Sequence, residues 1–184
     1  MYAGGMVSTA EPEGPPTARA VVDLINSRAY AIHQDRLDDP AVAAQVLAPF
    51  GQGSDAVSAE RIALVKQLRA ALMAAVDTEE GGSEAAWAAV NDSTTDVTFR
   101  MDFAGPAIVR HAQVSGDPVV GGIVLAVSEL ITDGLWSRLR VCANDACRKV
   151  FYDTTRSRTR RWHSYELCGN RANVAAYRAR NAVG

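Results

Sequence analysis

The first 141 residues of this chain contain no cysteine, and its three cysteines, Cys142, Cys147 and Cys168, all lie near the C-terminal end. Three thiols cannot form a complete set of internal disulfides, which argues against an oxidised, disulfide-stapled protein. A cytoplasmic chain with cysteines gathered at one end is more often holding a metal. Long apolar runs are scarce too. The longest, "PVVGGIVLAVSELI" from Pro118 to Ile131, contains Glu129 and falls short of the roughly twenty residues that cross a bilayer, so it reads as a buried helix and no membrane segment is expected. The opening "MYAGGMVSTAEPEGPPTARA" has no cationic start and no sustained apolar run. It reads as a loose leader over residues 1–17 and not as a secretory signal.

Catalytic signatures are missing as well. There is no Ser-centred elbow, Walker-type loop or dinucleotide glycine pattern, and "GGS" and "VVGG" are too weak to serve as phosphate loops. His33 with Asp35, Asp38 and Asp39 in "HQDRLDD" has no second histidine nearby in sequence and reads as solvated loop charge. His111 reads as an ordinary satisfied or exposed side chain. No enzyme is expected. Internal repeats and low-complexity tracts are also absent.

What is present is a globular composition, 48% hydrophobic and 22% charged over 184 residues, enough for one domain or for one domain with a small module. The net charge of −2 conceals a split. From Arg138 to Gly184 eleven Lys+Arg face three Asp+Glu, and the preceding residues hold eight against eighteen, so +8 and −10 make up the total. The acidic part is expected to build a core and the basic part to meet something negative.

Periodicity predicts a mainly α, α+β fold. "TARAVVDLINSRAYAIH" is too short an apolar run to separate helix from strand, with Thr17 a possible cap. "DDPAVAAQVLAPFG" predicts a short helix with Asp39 as N-cap, Pro40 in its first position and Gly51 ending it. "SAERIALVKQLRAALMAAV" is the clearest helix, opened by Ser58 and striped by Ile62, Leu64, Val65, Leu68, Leu72 and Met73. "GGSEAAWAAVNDS" predicts another, capped by Ser83. "DVTFRMDFAG" alternates Val97, Phe99, Met101 and Phe103 with polar residues, the pattern of a half-buried strand, and Gly105-Pro106 turns it toward "AIVRHAQV" as hairpin partner. Asp117-Pro118 then opens the long apolar helix, expected to run to about Arg138.

Four ligand types lie in the basic end: Cys142, Cys147, His163 and Cys168. Each pair has four residues between its members and fifteen separate the pairs, an arrangement that lets two close pairs converge on one ion. Three thiolates and one imidazole supply a closed tetrahedral set for one structural Zn2+, with no position left to activate water. The bland alternative, three small buried thiols and a surface histidine, fits less well. The module has few large apolar residues and needs a staple. Trp162 and Phe151 are assigned to its small core, although an aromatic such as Trp162 or Tyr165 can also stack on bases.

The pattern CxxxxC…FYD…RRWHSxxxCGNR resembles the CGNR zinc-finger family, in which a cysteine pair precedes Phe-x-Asp, an Arg-rich loop and Trp-Cys-Ser before Cys-Gly-Asn-Arg. Phe151, Asp153, Arg160, Arg161, Trp162, Ser164, Cys168, Gly169, Asn170 and Arg171 match it. His163 stands where the family usually carries cysteine. Imidazole is a competent zinc ligand, so the site survives with one negative charge fewer. Through "VVDLINSR" and "LVKQLRAAL", residues 18–137 resemble the ABATE-type domain that precedes this finger. The resemblance implies a helical N-terminal domain with one β-hairpin, a zinc-bound hairpin-plus-helix module over 138–184, and membership among proteins regarded as stress-responsive transcription regulators.

The basic module is expected to bind DNA. Arg148, Lys149, Arg156, Arg158, Arg160 and Arg161 read as an exposed loop of guanidinium and ammonium groups, and Asn170, Arg171, Asn173, Arg178 and Arg180 as a helix able to enter a major groove. The N-terminal domain would sense or dimerise, possible as a homodimer. Two alternatives stand beside this: a protein-interaction or scaffolding role with a purely structural zinc, and a +8 module that simply docks on its own −10 neighbour.

Overall fold

Pro16 has no N–H to leave unsatisfied and so opens the first helix, α1 (Pro16–Asn26), at the position where proline costs least. The chain is described here from a computed structural model that covers residues 14–30, 32–51, 53, 56–77, 83–171 and 173–174. Along α1 the residues Ala18, Val21, Leu24 and Ile25 are fully buried, a helical spacing that settles the helix-or-strand ambiguity. Thr17 lies inside the first turn, where its hydroxyl donates to Glu129 at 3.0 Å.

The capping chemistry fixes the next helices. Asp39 accepts from the N–H groups of Ala41 and Val42 to start α2 (Pro40–Leu47), and a short turn over 48–50 ends at Gly51 in the left-handed region. Ser58 accepts from Arg61 N–H at the start of α3 (Ala59–Val76), and Ser83 from Ala86 N–H at α4 (Glu84–Asp92). On α3 the buried stripe is Val65, Leu68, Leu72, Ala75 and Val76, and it includes Arg69. Ile62 and Met73 are half-buried, while Leu64 faces solvent.

Strands β1 (Thr98–Gly105) and β2 (Ile108–Ser115) form the expected antiparallel hairpin, with Met101 opposite His111 and Asp102 opposite Arg110. Its burial differs from the expectation. Val97 and Phe99 are partly covered, but Met101, Phe103, Ile108, Val109 and Val114 are exposed on a ribbon with no covering layer among the described residues. Alternation reported the strand correctly; it could not report that neither face meets a core.

Helix α5 (Pro118–Thr132) is capped by Asp117, which accepts from Val119 and Val120 N–H. It stops at Thr132 and does not reach Arg138. Gly134 takes φ +67, its N–H donates to Ile131 O at 3.0 Å, and Leu135 N–H donates to Leu130 O at 2.8 Å. That pair of bonds is the Schellman termination that a left-handed glycine permits. On the same helix a Cβ at Gly122 would lie 2.2 Å from the carbonyl oxygen of Phe50, so only glycine allows α5 to approach the 48–50 turn this closely.

The core gathers α1, α3 and α5 around Leu24, Ile25, Leu47, Leu68, Leu72, Ile123 and Leu130. Leu139 and Val150 belong to it. They sit on β3 (Leu139–Val141) and β4 (Val150–Tyr152), a short antiparallel hairpin in which Arg140 faces Phe151. The charge boundary near Arg138 is therefore not a packing boundary. Among the described residues no helix is long and apolar enough to cross a membrane.

Candidate metal centre

Hairpin β3–β4 carries the first pair of candidate ligands on its connecting knuckle. Cys142 N–H donates to Lys149 O at 2.8 Å, and Asn144 O accepts from Cys147 N–H at 2.8 Å and Arg148 N–H at 3.0 Å. Arg148 closes the turn at φ +52, a left-handed conformation uncommon for a side-chain-bearing residue. The second pair is set by the segment that leaves β4. Asp153, fully buried, accepts from Thr155 N–H and Oγ1 at 2.9 and 2.6 Å and from Arg160 N–H at 2.9 Å. These bonds fold residues 153–160 back on themselves. Arg160 then donates to Trp162 O at 2.9 Å and to His163 O, with its guanidinium 5.3 Å from the Phe151 ring centroid. Ser164 caps the π-helical turn Tyr165–Gly169, which delivers Cys168.

The result is convergence. One ligand atom from each of Cys142, Cys147, His163 and Cys168 lies within 4.8 Å of all the others. His163 Nδ1 stands 3.4 Å from Cys147 Sγ and 3.7 Å from Cys168 Sγ. A tetrahedral zinc with bonds of about 2.3 Å to sulfur and about 2.05 Å to nitrogen sets an S···N edge of about 3.6 Å, and the two observed edges bracket it. Cys142 and Cys168 are buried with Phe151, and Trp162 and Cys147 pack against them, as the small-core assignment of Phe151 and Trp162 expected. The cysteines are free of disulfides.

The electrostatics point the same way. Burial, followed by the adjacent Cys142 and Cys168, pushes the Cys147 thiol up to about 11. Three thiols this close resist ionisation unless a cation shares the space, and a dication supplies the missing charge. The four residues fill a tetrahedral shell and leave no open position, so the ion orders the chain and does not activate water.

With this geometry in place, the comparison with known families is decisive for the C-terminal segment. Residues 138–181 match the CGNR zinc finger. The chain as a whole matches no curated protein. The finger thus holds one structural zinc on Cys142, Cys147, His163 and Cys168, with histidine in the third position.

The basic residues divide. Arg156, Arg158, Arg161, Asn170 and Arg171 are exposed, and Arg161 lies with its guanidinium 5.3 Å from the Trp162 ring centroid. Arg148 and Arg160 correct the expectation of an open loop. Arg148 is half-buried and pairs with both carboxylate oxygens of Asp77 on the end of α3, and Arg160 is turned inward as described. Lys149 is half-buried. Arg178 and Arg180 lie outside the described residues.

Sequence reasoning missed how the finger is attached. Asn26, at the end of α1, donates from Nδ2 to Val150 O and accepts at Oδ1 from Val150 N–H, both at 2.8 Å. The side-chain amide thus pairs with β4 like a neighbouring strand. Arg28 donates to Arg148 O at 2.6 Å. Just behind, Arg69 donates to Ser27 Oγ at 2.7 Å and to both oxygens of Asp35, and these bonds with Lys66 nearby hold the Asp35 carboxyl below its usual range despite partial burial, which works the other way. The two stretches that carried the resemblance over 18–137, "VVDLINSR" and "LVKQLRAAL", supply Asn26, Ser27, Arg28, Lys66 and Arg69 to this network. His33 and Asp35, discounted as metal ligands, instead border an open cleft of about 910 Å³ between α1 and the finger, together with Arg28, Lys149, Arg160 and His163.

Proposed function

We propose that this protein is a non-catalytic, cytoplasmic DNA-binding regulator in which zinc orders the finger and the finger contacts the phosphate backbone. The observation that carries the reading is the exposed set Arg156, Arg158, Arg161 and Arg171 on the finger, none of which takes an acidic partner among the described residues. Arginine forks match phosphate oxygens, and a fixed metal-ordered loop presents them at low entropic cost. In this reading the helical part senses an effector, as the resemblance to ABATE-type domains of stress-responsive regulators implies, and the cleft between α1 and the finger supports it.

The test is DNA affinity of the zinc-loaded full chain against salt. Four phosphate contacts give a log–log slope of about −3.6, and Arg156→Ala with Arg158→Ala should flatten it by about 1.8. The full chain is required because Leu139 and Val150 share the main core. A second reading, a protein-interaction module with purely structural zinc, is favoured by the inward pairing of Arg148 with Asp77. It takes over if affinity is absent at low salt or independent of salt.

A further inference from the structure

The hairpin β1–β2 has no evident reason to persist alone. A two-stranded ribbon is marginal in water without a covering layer, yet this one exposes Met101 at 55%, Phe103 at 77%, Ile108 at 50%, Val109 at 45% and Val114 at 65%. Among the described residues β1 and β2 pair only with each other, so no third strand there covers either edge of the ribbon. Open edges with exposed apolar side chains are a template for another strand.

We propose that β1 pairs antiparallel, about a two-fold axis through Met101, with β1 of a second copy of this chain. The charges on the strand select that occupant and that register. Arg100 and Asp102 flank Met101 and are already paired within the strand at 2.9 Å. With the axis on Met101, Arg100 faces the partner's Asp102 and Asp102 faces the partner's Arg100. Phe99 faces the partner's Phe103 twice over, and Met101 meets the partner's Met101. Moving the axis one residue toward the N-terminus sets Arg100 against the partner's Arg100. Moving it one residue the other way sets Asp102 against the partner's Asp102. Like charges directly opposite are unfavourable and opposite charges favourable, so one register is singled out. Strand β2 offers no comparable self-complementarity, since its only charged residue is Arg110 with His111 beside it. The four-stranded sheet so formed gathers Phe99, Met101, Phe103 and Val109 from both copies into one apolar face. This pairing does not depend on what the finger binds.

The test uses the zinc-loaded full chain in sedimentation equilibrium. Wild type should dimerise, with a dissociation constant that rises at least about tenfold in Arg100→Asp and in Asp102→Arg, because each substitution replaces two attractive cross-strand pairs by two repulsive ones. Mixing these two variants should restore association as a heterodimer, since every facing pair is then complementary. Met101→Cys should form an intersubunit disulfide under mild oxidation, because directly opposed residues across an antiparallel pair stand about 4.5–5.5 Å apart at Cα, within disulfide range. These positions are exposed, apart from the half-buried Asp102, and circular dichroism confirms that each variant folds. A wild type that stays monomeric at high concentration overturns the proposal. So does a dimer indifferent to the charge reversals, which would mean packing through the sheet face, or a Met101→Cys variant that cross-links no more than wild type.

Discussion

Replacing Asn26 by alanine should uncouple the finger from the helical body. The Asn26 side chain is nearly buried and Val150 is fully buried, so removing the amide strands one N–H and one C=O of β4 where water has little access. Each stranded group costs about 1–3 kcal/mol, and partial relaxation of a short strand leaves a net loss of about 2–4 kcal/mol. In a chain of this length that lowers the melting temperature by about 4–16 °C. Asn26→Asp separates the two roles of the amide. A carboxylate still accepts from Val150 N–H, but it opposes the Val150 carbonyl and adds a buried charge, so its cost should equal or exceed that of alanine. Zinc stoichiometry should stay at one in both variants, because Asn26 bonds the Val150 backbone and none of the four ligands. Urea unfolding of zinc-saturated protein reads the loss directly. A change below about 0.5 kcal/mol for alanine, or an aspartate variant milder than the alanine one, would refute the pairing of this amide with the strand.

Three further outcomes are expected. Cys168→Ser should bind less than one equivalent of zinc by metal analysis, and chelation of wild type should lower the melting temperature of the whole chain in a single step, because the finger's hairpin shares the main core; two separate transitions would contradict the shared core. Arg69→Met should cost about 3–5 kcal/mol in urea unfolding, since it leaves Asp35 without its buried partner; a neutral result would mean that Asp35 is better hydrated than its contacts indicate. Asp153 supplies the pH prediction. Burial works to raise its carboxyl, but the bonds from Thr155 and Arg160 outweigh it and hold it below the usual range. A depressed carboxyl stabilises fully above its unfolded value of about 3.9 and loses that contribution as pH falls through the folded value, so wild type should lose stability below about pH 4 more steeply than Asp153→Asn, and parallel profiles would remove this carboxylate from the acid response.

The metal centre was legible because its chemistry is local. Two pairs at equal spacing, in a segment too poor in large apolar residues to fold unaided, specify the ion, and the structure brings those four atoms together. Caps were equally local: Asp39, Ser58, Ser83 and Asp117 each accept the bonds their positions predict. What failed were properties set by distant partners. The end of α5 was overrun because an apolar run continues past Gly134, while the left-handed turn there reverses the chain. Phe103 lies on the apolar side of a half-buried strand's alternation and yet is open, because periodicity names a face without saying what covers it. Asn26 carries no signal of its own in the sequence, because its role depends on a strand 124 residues away. Arg148 and Arg160 counted as surface charge only while their carboxylate and carbonyl partners were unknown.

Those partners change what zinc controls. If the finger were an appendage, losing the ion would melt a short tail and leave the helices intact. Here the ion fixes Cys142 and Cys147 at the tip of the hairpin whose strands supply Leu139 and Val150 to the main core, and Asn26 and Arg28 hold the same hairpin from α1. The metal and the α1 terminus therefore act on one short pair of strands, and the Arg69 bonds to Ser27 and Asp35 brace the residue that follows Asn26. The cleft between α1 and the finger has that pair as one of its walls. Arg160 and the ligand His163 line the same cleft, so the helical body, the strand pair and the metal centre meet at one surface, and the finger is part of the fold and not an appendage to it.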